Sequence, residues 1–179
     1  MIVILFTGGT ISMKFDAALG GAVPTLSGDE IVLATRGLSD VASIEVEQWG
    51  KFPGPHMTVE RMWALRNRIA GHLARPDVDG LVVTHGTDTL EESAYLCARS
   101  LPPQVPVVFT GAMRTASDLG WDGPSNLLEA ARVASSPASR GKGVLISLGD
   151  RIHSALEADR KSTRLNSSHV LRSRMPSSA

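Results

Sequence analysis

The chain has 179 residues, of which 42% are hydrophobic and 20% are charged, and its basic and acidic residues balance to no net charge. This composition is typical of a folded domain with a sizeable core and lacks the positive charge that nucleic-acid binding favours. No apolar run approaches the roughly 20 residues of a membrane helix, and a single cysteine cannot form an internal disulfide. We therefore expect a cytoplasmic globular protein with neither a membrane nor a nucleic-acid partner.

Short apolar runs alternate with amphipathic segments, which predicts an α/β fold with an open, mostly parallel sheet and flanking helices. Ser27 and Thr58 precede two helical segments and are suited to cap them. In chain order, the predicted elements are a strand at 2–9, a helix at 27–38, a strand at 43–49, a helix at 58–75, a strand at 80–86, a helix at 89–101, a strand at 105–112, a helix at 124–135 and a strand at 143–149.

Four of the predicted strands end in loops rich in Gly, Thr or Asp, which follow Phe6, Val83, Phe109 and Ser147. Ligands of open parallel sheets bind at the carboxyl ends of the strands. We therefore expect a ligand site where these loops converge.

The first loop, "FTGGTIS" at 6–12, combines two glycines with a hydroxyl group. Gly8 and Gly9 allow a ligand to approach the backbone closely, and the hydroxyl of Thr10 follows where it could attack. A phosphate-binding turn is the alternative, but the spacing matches neither G-x-G-x-x-G nor the P-loop. A nucleotide-binding domain is therefore the least favoured interpretation.

The second loop, "HGTDTLEES" at 85–93, starts a helix with two threonines and an aspartate. Thr87, Asp88 or Thr89 could cap this helix, or Thr87 could attack a substrate whose ammonium group Asp88 binds. The helix N-terminus would also favour a substrate carboxylate. We interpret His85 as a structural histidine that hydrogen-bonds the loop rather than as a base.

The third loop, "FTGAMRTASDLGWDGPSNL" at 109–127, is largely polar. Most of its polar side chains are expected to fix the loop or cap the next helix, while the backbone carbonyl of Ala112 could accept a hydrogen bond from a ligand. The polar residues are Arg114, Ser117, Asp118, Asp122, Ser125 and Asn126.

Taken together, the segments "TGGTI", "HGTDTLEESA", "TGAMR", "DGPSNL" and "DRIHSA" resemble the N-terminal domain of the bacterial L-asparaginase family, in the same order and spacing over residues 1–158. The resemblance implies Rossmann-like or flavodoxin-like layering. It also implies hydrolysis of the side-chain amide of L-asparagine to L-aspartate and ammonia through a threonine acyl-enzyme, without a metal or cofactor. A homo-oligomer is implied for the full-length protein.

The resemblance assigns roles to residues at matching positions. Thr10 corresponds to the nucleophile, and Thr87 to the second catalytic threonine. Asp88 corresponds to the aspartate that binds the substrate amino group and belongs to the triad of Thr87. Ala112 corresponds to the residue whose carbonyl lies near the substrate amide. The amides of the loop around Gly9, together with Thr87, could stabilise the oxyanion.

Two segments depart from the family pattern. The family usually carries a tyrosine in the mobile loop after the first threonine, whereas no tyrosine lies between Ile11 and Pro24, a loop rich in Gly and Ala that could serve as a lid hinge. In the segment that binds the substrate carboxylate, Pro55 and His56 stand where the family has a serine and a polar partner. His56 could bind the carboxylate instead.

The last segment, 159–179, differs in kind from the rest of the chain. Residues 1–158 carry 13 Lys/Arg and 17 Asp/Glu, a net charge of −4, whereas 159–179 is basic and matches the translated codons of a sequencing-library adapter. We expect 159–179 to be a disordered artefact that follows an incomplete N-terminal domain, with the C-terminal domain missing. Lys161 lies near the position of the family's catalytic lysine, but its place in this segment argues against assigning it. We therefore expect the chain as given to be inactive or nearly so.

Two other functions are also compatible with these motifs. One is the asparaginase-like subunit of a tRNA-dependent amidotransferase, against which the acidic charge of 1–158 counts mildly. The other is a non-catalytic module that binds asparagine through the same loops.

Overall fold

The structure is a computed structural model that describes residues 1–101 and 104–158, so the predicted adapter-like tail at 159–179 lies outside the described residues. In the described residues, the strands are β1 (Ile2–Gly8), β2 (Met13–Asp16), β3 (Gly21–Pro24), β4 (Ile44–Phe52), β5 (Gly80–Thr84), β6 (Val107–Thr110), β7 (Val144–Leu148) and β8 (Arg151–Ser154). The helices are α1 (Gly28–Ala34), α2 (Leu38–Val41), α3 (Val59–Leu73), α4 (Leu90–Ser100) and α5 (Gly123–Ser135).

Six of these strands form one sheet in the order β4-β1-β5-β6-β7-β8. The pairs β1–β4, β1–β5, β5–β6 and β6–β7 are parallel, and only β8 runs antiparallel to its neighbour. The predicted α/β fold with an open, mostly parallel sheet is confirmed. Because the parallel strands end at one edge, the loops that follow β1, β4, β5, β6 and β7 meet there.

The sheet is covered on both faces, which explains the nearly continuous apolar character of its central strands. Successive side chains of a strand point to opposite faces. On one face, Ile4 and Phe6 pack with Leu127 of α5. On the other, Leu5 packs with Leu65 and Ile69, two members of the apolar stripe of α3. Among the described residues, no helix is long and apolar enough to cross a membrane.

The predicted helix at 27–38 is wrong in its second half. Ser27 begins α1 with a capping box, since its hydroxyl accepts from the Glu30 amide at 3.2 Å and its own amide donates to the Glu30 carboxylate at 2.7 Å. The helix ends at Ala34, where the Thr35 hydroxyl donates back to the Ile31 carbonyl. Gly37 then takes a left-handed φ of 79° and separates α1 from the short α2.

The predicted loop between Ile11 and Pro24 contains the hairpin β2–β3 instead. Its turn is held by the carboxylate of Asp16, which accepts from the amides of Ala18 and Leu19. The hairpin is fixed to the third loop, because the Ala116 amide donates to the Met13 carbonyl at 2.9 Å. Hydrogen bonds within the turn and to the third loop therefore order the segment after Thr10, although its Gly/Ala-rich composition did not indicate this.

Candidate functional site

Three glycines bring the loops after β1, β4 and β5 into backbone contact. A Cβ atom built on Gly9 would lie 2.5 Å from the Gly86 nitrogen, and one built on Gly86 would lie 2.5 Å from the Gly54 Cα. Real Cβ atoms do not approach backbone this closely, so only glycine fits at these positions. We call Gly9, Gly54 and Gly86 the glycine contact.

The two threonines of interest each follow a member of the glycine contact. Thr10 comes directly after Gly9 and begins a 3-10 turn, Thr10–Ser12. Thr87 comes directly after Gly86, and its Cγ2 lies 3.3 Å from the position of a Cβ on Gly111 at the end of β6. Both side chains are half-buried, and neither hydroxyl has a hydrogen-bond partner within the described residues. Two hydroxyls thus remain available at the edge where the loops converge.

The backbone around Gly9 is tightly held. Its amide donates to the Phe52 carbonyl at 2.9 Å, and its carbonyl accepts from the amide and hydroxyl of Ser12. The Gly9 amide is therefore engaged in the contact with the end of β4. The amide of Thr10, the first in the 3-10 turn, has no acceptor in the described part of the chain.

Asp88 extends from the same cluster and is exposed at its surface. Its Oδ2 atom lies 2.8 Å from the position of a Cβ on Gly54. The capping expected of Thr89 is not observed: Thr89 is the N-cap residue of α4, but its side chain caps no amide and donates instead to the Gly54 carbonyl at 2.9 Å. The start of α4 is thus tied to the loop that follows β4.

His56 lies in the 3-10 turn Gly54–His56, directly beside the glycine contact, and its side chain is exposed. The turn leads into α3, which Thr58 caps as predicted, with the Arg61 amide donating to its hydroxyl at 3.4 Å. The Arg61 guanidinium donates to the His56 carbonyl and lies 4.2 Å from the centre of the Phe52 ring. Sequence reasoning missed this cation, whose only signal is its place in the first turn of a capped helix.

Ala112 is fully buried in the third loop. The loop-fixing roles predicted for the polar side chains around it are confirmed. Asp122 accepts from the amides of Met113 and Arg114 at 2.8–3.1 Å, and Asp118 accepts from the Thr115 amide at 2.7 Å.

His85 is buried beneath the second loop, with its ring centre 6.1 Å from that of Phe109. Its Nδ1 atom lies 2.9 Å from the Gly86 carbonyl oxygen, which assigns the proton to Nδ1. Burial lowers the pKa of His85 to about 4, and the hydrogen bond to Gly86 opposes this only in part. Its neutral, buried ring agrees with the structural role expected from the sequence.

Among the described residues, no group of three or more His, Cys, Asp and Glu side chains could hold a metal ion.

We expect Gly86→Ala to destabilise the protein by about 1–3 kcal/mol, because the new methyl group would overlap the backbone of Gly54. Gly71→Ala is the matched control, since Gly71 lies in α3 and its Cβ position has no atom within 4 Å apart from the backbone of its own helix. That change should stabilise the helix by up to about 1 kcal/mol. Urea unfolding measures both, and a Gly86→Ala variant as stable as the wild type would contradict the glycine contact.

The buried ring of His85 predicts a pH dependence of stability. Its folded-state pKa, about 4, lies below the roughly 6.5 of an unfolded histidine, so between these values only the unfolded state gains the proton. The free energy of unfolding should therefore fall with decreasing pH in this window, by up to about 1.4 kcal/mol per pH unit. In His85→Gln this slope should be smaller, as urea unfolding at pH 7 and pH 5.5 would show. Equal slopes in the two proteins would refute the lowered pKa of His85 in the folded state.

Comparisons with known proteins identify relatives over most of the chain. The family model described as "Asparaginase, N-terminal" matches residues 1–170. The chain is 38% identical to L-asparaginase 2 of Bacillus subtilis over 161 residues, covering 85% of this chain and 41% of that protein. It is 37% identical to glutaminase-asparaginase of Pseudomonas aeruginosa over 162 residues, covering 89% of this chain and 45% of that protein.

A solved structure is similar as well. The probable cytoplasmic L-asparaginase of Campylobacter jejuni matches with a TM-score of 0.78 at 37% identity, covering 86% of this chain and 47% of that one. The chain thus spans somewhat less than half the length of the relatives it matches. The family model and these relatives agree with the resemblance in the motifs, and the chain belongs to the asparaginase family, matching its N-terminal region.

Proposed function

We propose that this chain is the N-terminal part of an amidohydrolase that converts L-asparagine to L-aspartate and ammonia through a threonine acyl-enzyme. The observation that carries the proposal is the glycine contact, because it brings together the two loops in which Thr10 and Thr87 follow directly after a contact glycine. Family membership and the names of the relatives support the reaction class.

In the proposed reaction, Thr10 Oγ bonds to the carbon of the side-chain amide, and the tetrahedral intermediate expels ammonia to leave an ester. Water then cleaves the ester, releasing aspartate and restoring the hydroxyl. A neutral hydroxyl is a weak nucleophile, so its proton must pass to a base during attack. The oxyanion needs preorganised donors, for which the free Thr10 amide and the Thr87 hydroxyl are suited.

The same edge offers complementary charges for the ends of an amino acid. The exposed carboxylate of Asp88 would bind the ammonium group of the substrate. The carboxylate group of the substrate would lie near the start of α4 and near the turn that carries His56. The guanidinium of Arg61 beside this turn adds a positive charge. This arrangement supports a free amino acid as the substrate.

One relative is named a glutaminase-asparaginase, so glutamine is a second candidate substrate beside asparagine. We further propose that the whole protein is a cytoplasmic homo-oligomer. The name of the Campylobacter jejuni relative is consistent with that location.

Ligand binding tests the proposal directly. We expect L-asparagine and L-aspartate to shift the amide NMR signals of Gly9, Gly86 and Thr87, and Asp88→Asn to weaken binding at least about tenfold by removing the partner of the substrate ammonium. Asp40→Asn is the matched control, because Asp40 lies in α2, just before β4 begins and thus at the opposite edge of the sheet. A wild-type chain that binds neither amino acid would refute the proposal.

Thr10→Val separates an enzyme from a binding module. In an enzyme, any ammonia released from L-asparagine should fall at least about a hundredfold, because the acyl-enzyme can no longer form, while the dissociation constant changes little. Ammonia release is followed with a coupled assay alongside the NMR titration. If ammonia release persists undiminished in Thr10→Val, then Thr10 is not the nucleophile. Absence of turnover in the wild-type chain does not by itself favour the binding module, because the chain as given is expected to be inactive or nearly so.

A further inference from the structure

We propose that Thr89 is a positioning residue, whose hydroxyl holds the carboxylate of Asp88 and the turn that carries His56 at one separation, so that the site selects α-amino acids by the spacing of their two charges. The inference rests on the proposed function, because it concerns the same substrate. It adds a residue that is neither the nucleophile nor a ligand contact in the reaction proposed above.

Thr89 does not use its side chain as a residue at a helix start usually does. It is the N-cap residue of α4, where a threonine hydroxyl ordinarily accepts from an amide of its own helix. Here the hydroxyl caps no amide and donates to the Gly54 carbonyl at 2.9 Å. The same carbonyl accepts from the Met57 amide at 3.1 Å and so closes the 3-10 turn Gly54–His56. Thr89 is therefore bonded to the carbonyl that closes this turn.

Asp88 lies between two attachments to one residue. On its N-terminal side, Gly86 meets Gly54 through the glycine contact. On its C-terminal side, the Thr89 hydroxyl bonds the Gly54 carbonyl, while the Thr89 amide donates to the Gly86 carbonyl at 3.3 Å. The carboxylate of Asp88 lies against the turn, with Oδ2 2.8 Å from the position of a Cβ on Gly54. Removing the Thr89 hydroxyl would take away the attachment on the C-terminal side.

The two attachments join groups of opposite charge. Asp88 supplies a negative charge at the surface, whereas the turn carries the exposed side chain of His56, and the His56 carbonyl accepts from the positively charged guanidinium of Arg61. The site thus offers a partner for an ammonium group beside partners for a carboxylate.

A fixed separation between these groups distinguishes amino acids by the spacing of their charges. An α-amino acid carries its ammonium and carboxylate groups on one carbon, so it needs both sets of binding groups close together. A β-amino acid has one methylene more between its charges and needs them further apart. A site whose loops are already held at the shorter spacing favours the α form, because no binding energy is lost in ordering them. Thr89 therefore affects which amino acid binds, without contacting it.

The test compares dissociation constants for L-asparagine and L-β-homoasparagine, whose carboxylate is one methylene further from the carbon that bears the amino group. NMR titration measures both ligands, with Thr10→Val in every chain so that no amide is hydrolysed, and the chain with this change alone is the parent. Thr89→Val keeps nearly the same shape without the hydroxyl, and Thr89→Ala is the second variant should the first fail to fold. Thr89→Ser keeps a hydroxyl.

Thr35→Val is the matched control. Thr35 also donates its hydroxyl to a backbone carbonyl, that of Ile31, at 2.7 Å. It lines one cavity with Ile44, the first residue of β4, and so lies at the opposite edge of the sheet from the candidate site. This variant loses the same kind of hydrogen bond without changing the loops that hold Asp88.

We expect the parent to prefer L-asparagine, and Thr89→Val and Thr89→Ala to lose about tenfold of that preference, with affinity for L-β-homoasparagine within about twofold of the parent. Thr89→Ser and Thr35→Val should keep the preference. The inference is overturned if affinity for both ligands falls in parallel, as a merely structural role predicts, if the preference survives without the hydroxyl, or if Thr89→Ser loses it as well. A parent that binds both ligands equally overturns the inference alone, and one that binds neither overturns the proposed function with it.

Discussion

The absence of side chains at Gly9, Gly54 and Gly86 is the constraint on which the rest of the site depends. Loops from three different strands meet there, and a Cβ atom on Gly9 or Gly86 would lie only 2.5 Å from the backbone of the facing loop. A side chain at Gly9 or Gly86 would force the facing loops apart, whereas one at Gly54 would meet the carboxylate of Asp88. The spacing between Thr10 and Thr87 is therefore decided by residues that have no functional group of their own.

The strands beneath this contact are joined at their carboxyl ends by hydrogen bonds that run across the sheet. The hydroxyl of Thr7 donates to the Thr84 carbonyl, the His85 amide donates to the Thr110 carbonyl, and the hydroxyl of Thr110 donates to the Ser147 carbonyl. All are buried, so no water competes with them. The loops thus begin from fixed points, and short connections suffice to hold their functional groups.

The sequence predicted what depends on local patterns and missed what depends on contacts between distant segments. The parallel sheet and the capping of α3 by Thr58 follow from periodicity and residue type, and both were predicted correctly. The contact of Gly54 with Gly86 joins loops far apart in the chain, and no local pattern encodes it. The hairpin β2–β3 was missed because its order comes from Asp16 and from the pairing of its strands, within a composition typical of a flexible loop.

The helix starts show how the site departs from local rules. Ser27 caps α1 as its residue type favours, yet Thr89 and Asp122, at the N-cap positions of α4 and α5, cap neither helix. A lost cap costs about 0.5–2 kcal/mol, a large fraction of the stability of a domain. Both side chains instead fix loops of the candidate site, Thr89 through Gly54 and Asp122 through Met113. Two of the helix starts at this edge thus use their N-cap side chains to fix loops of the candidate site, which is the kind of local departure expected where function competes with helix capping.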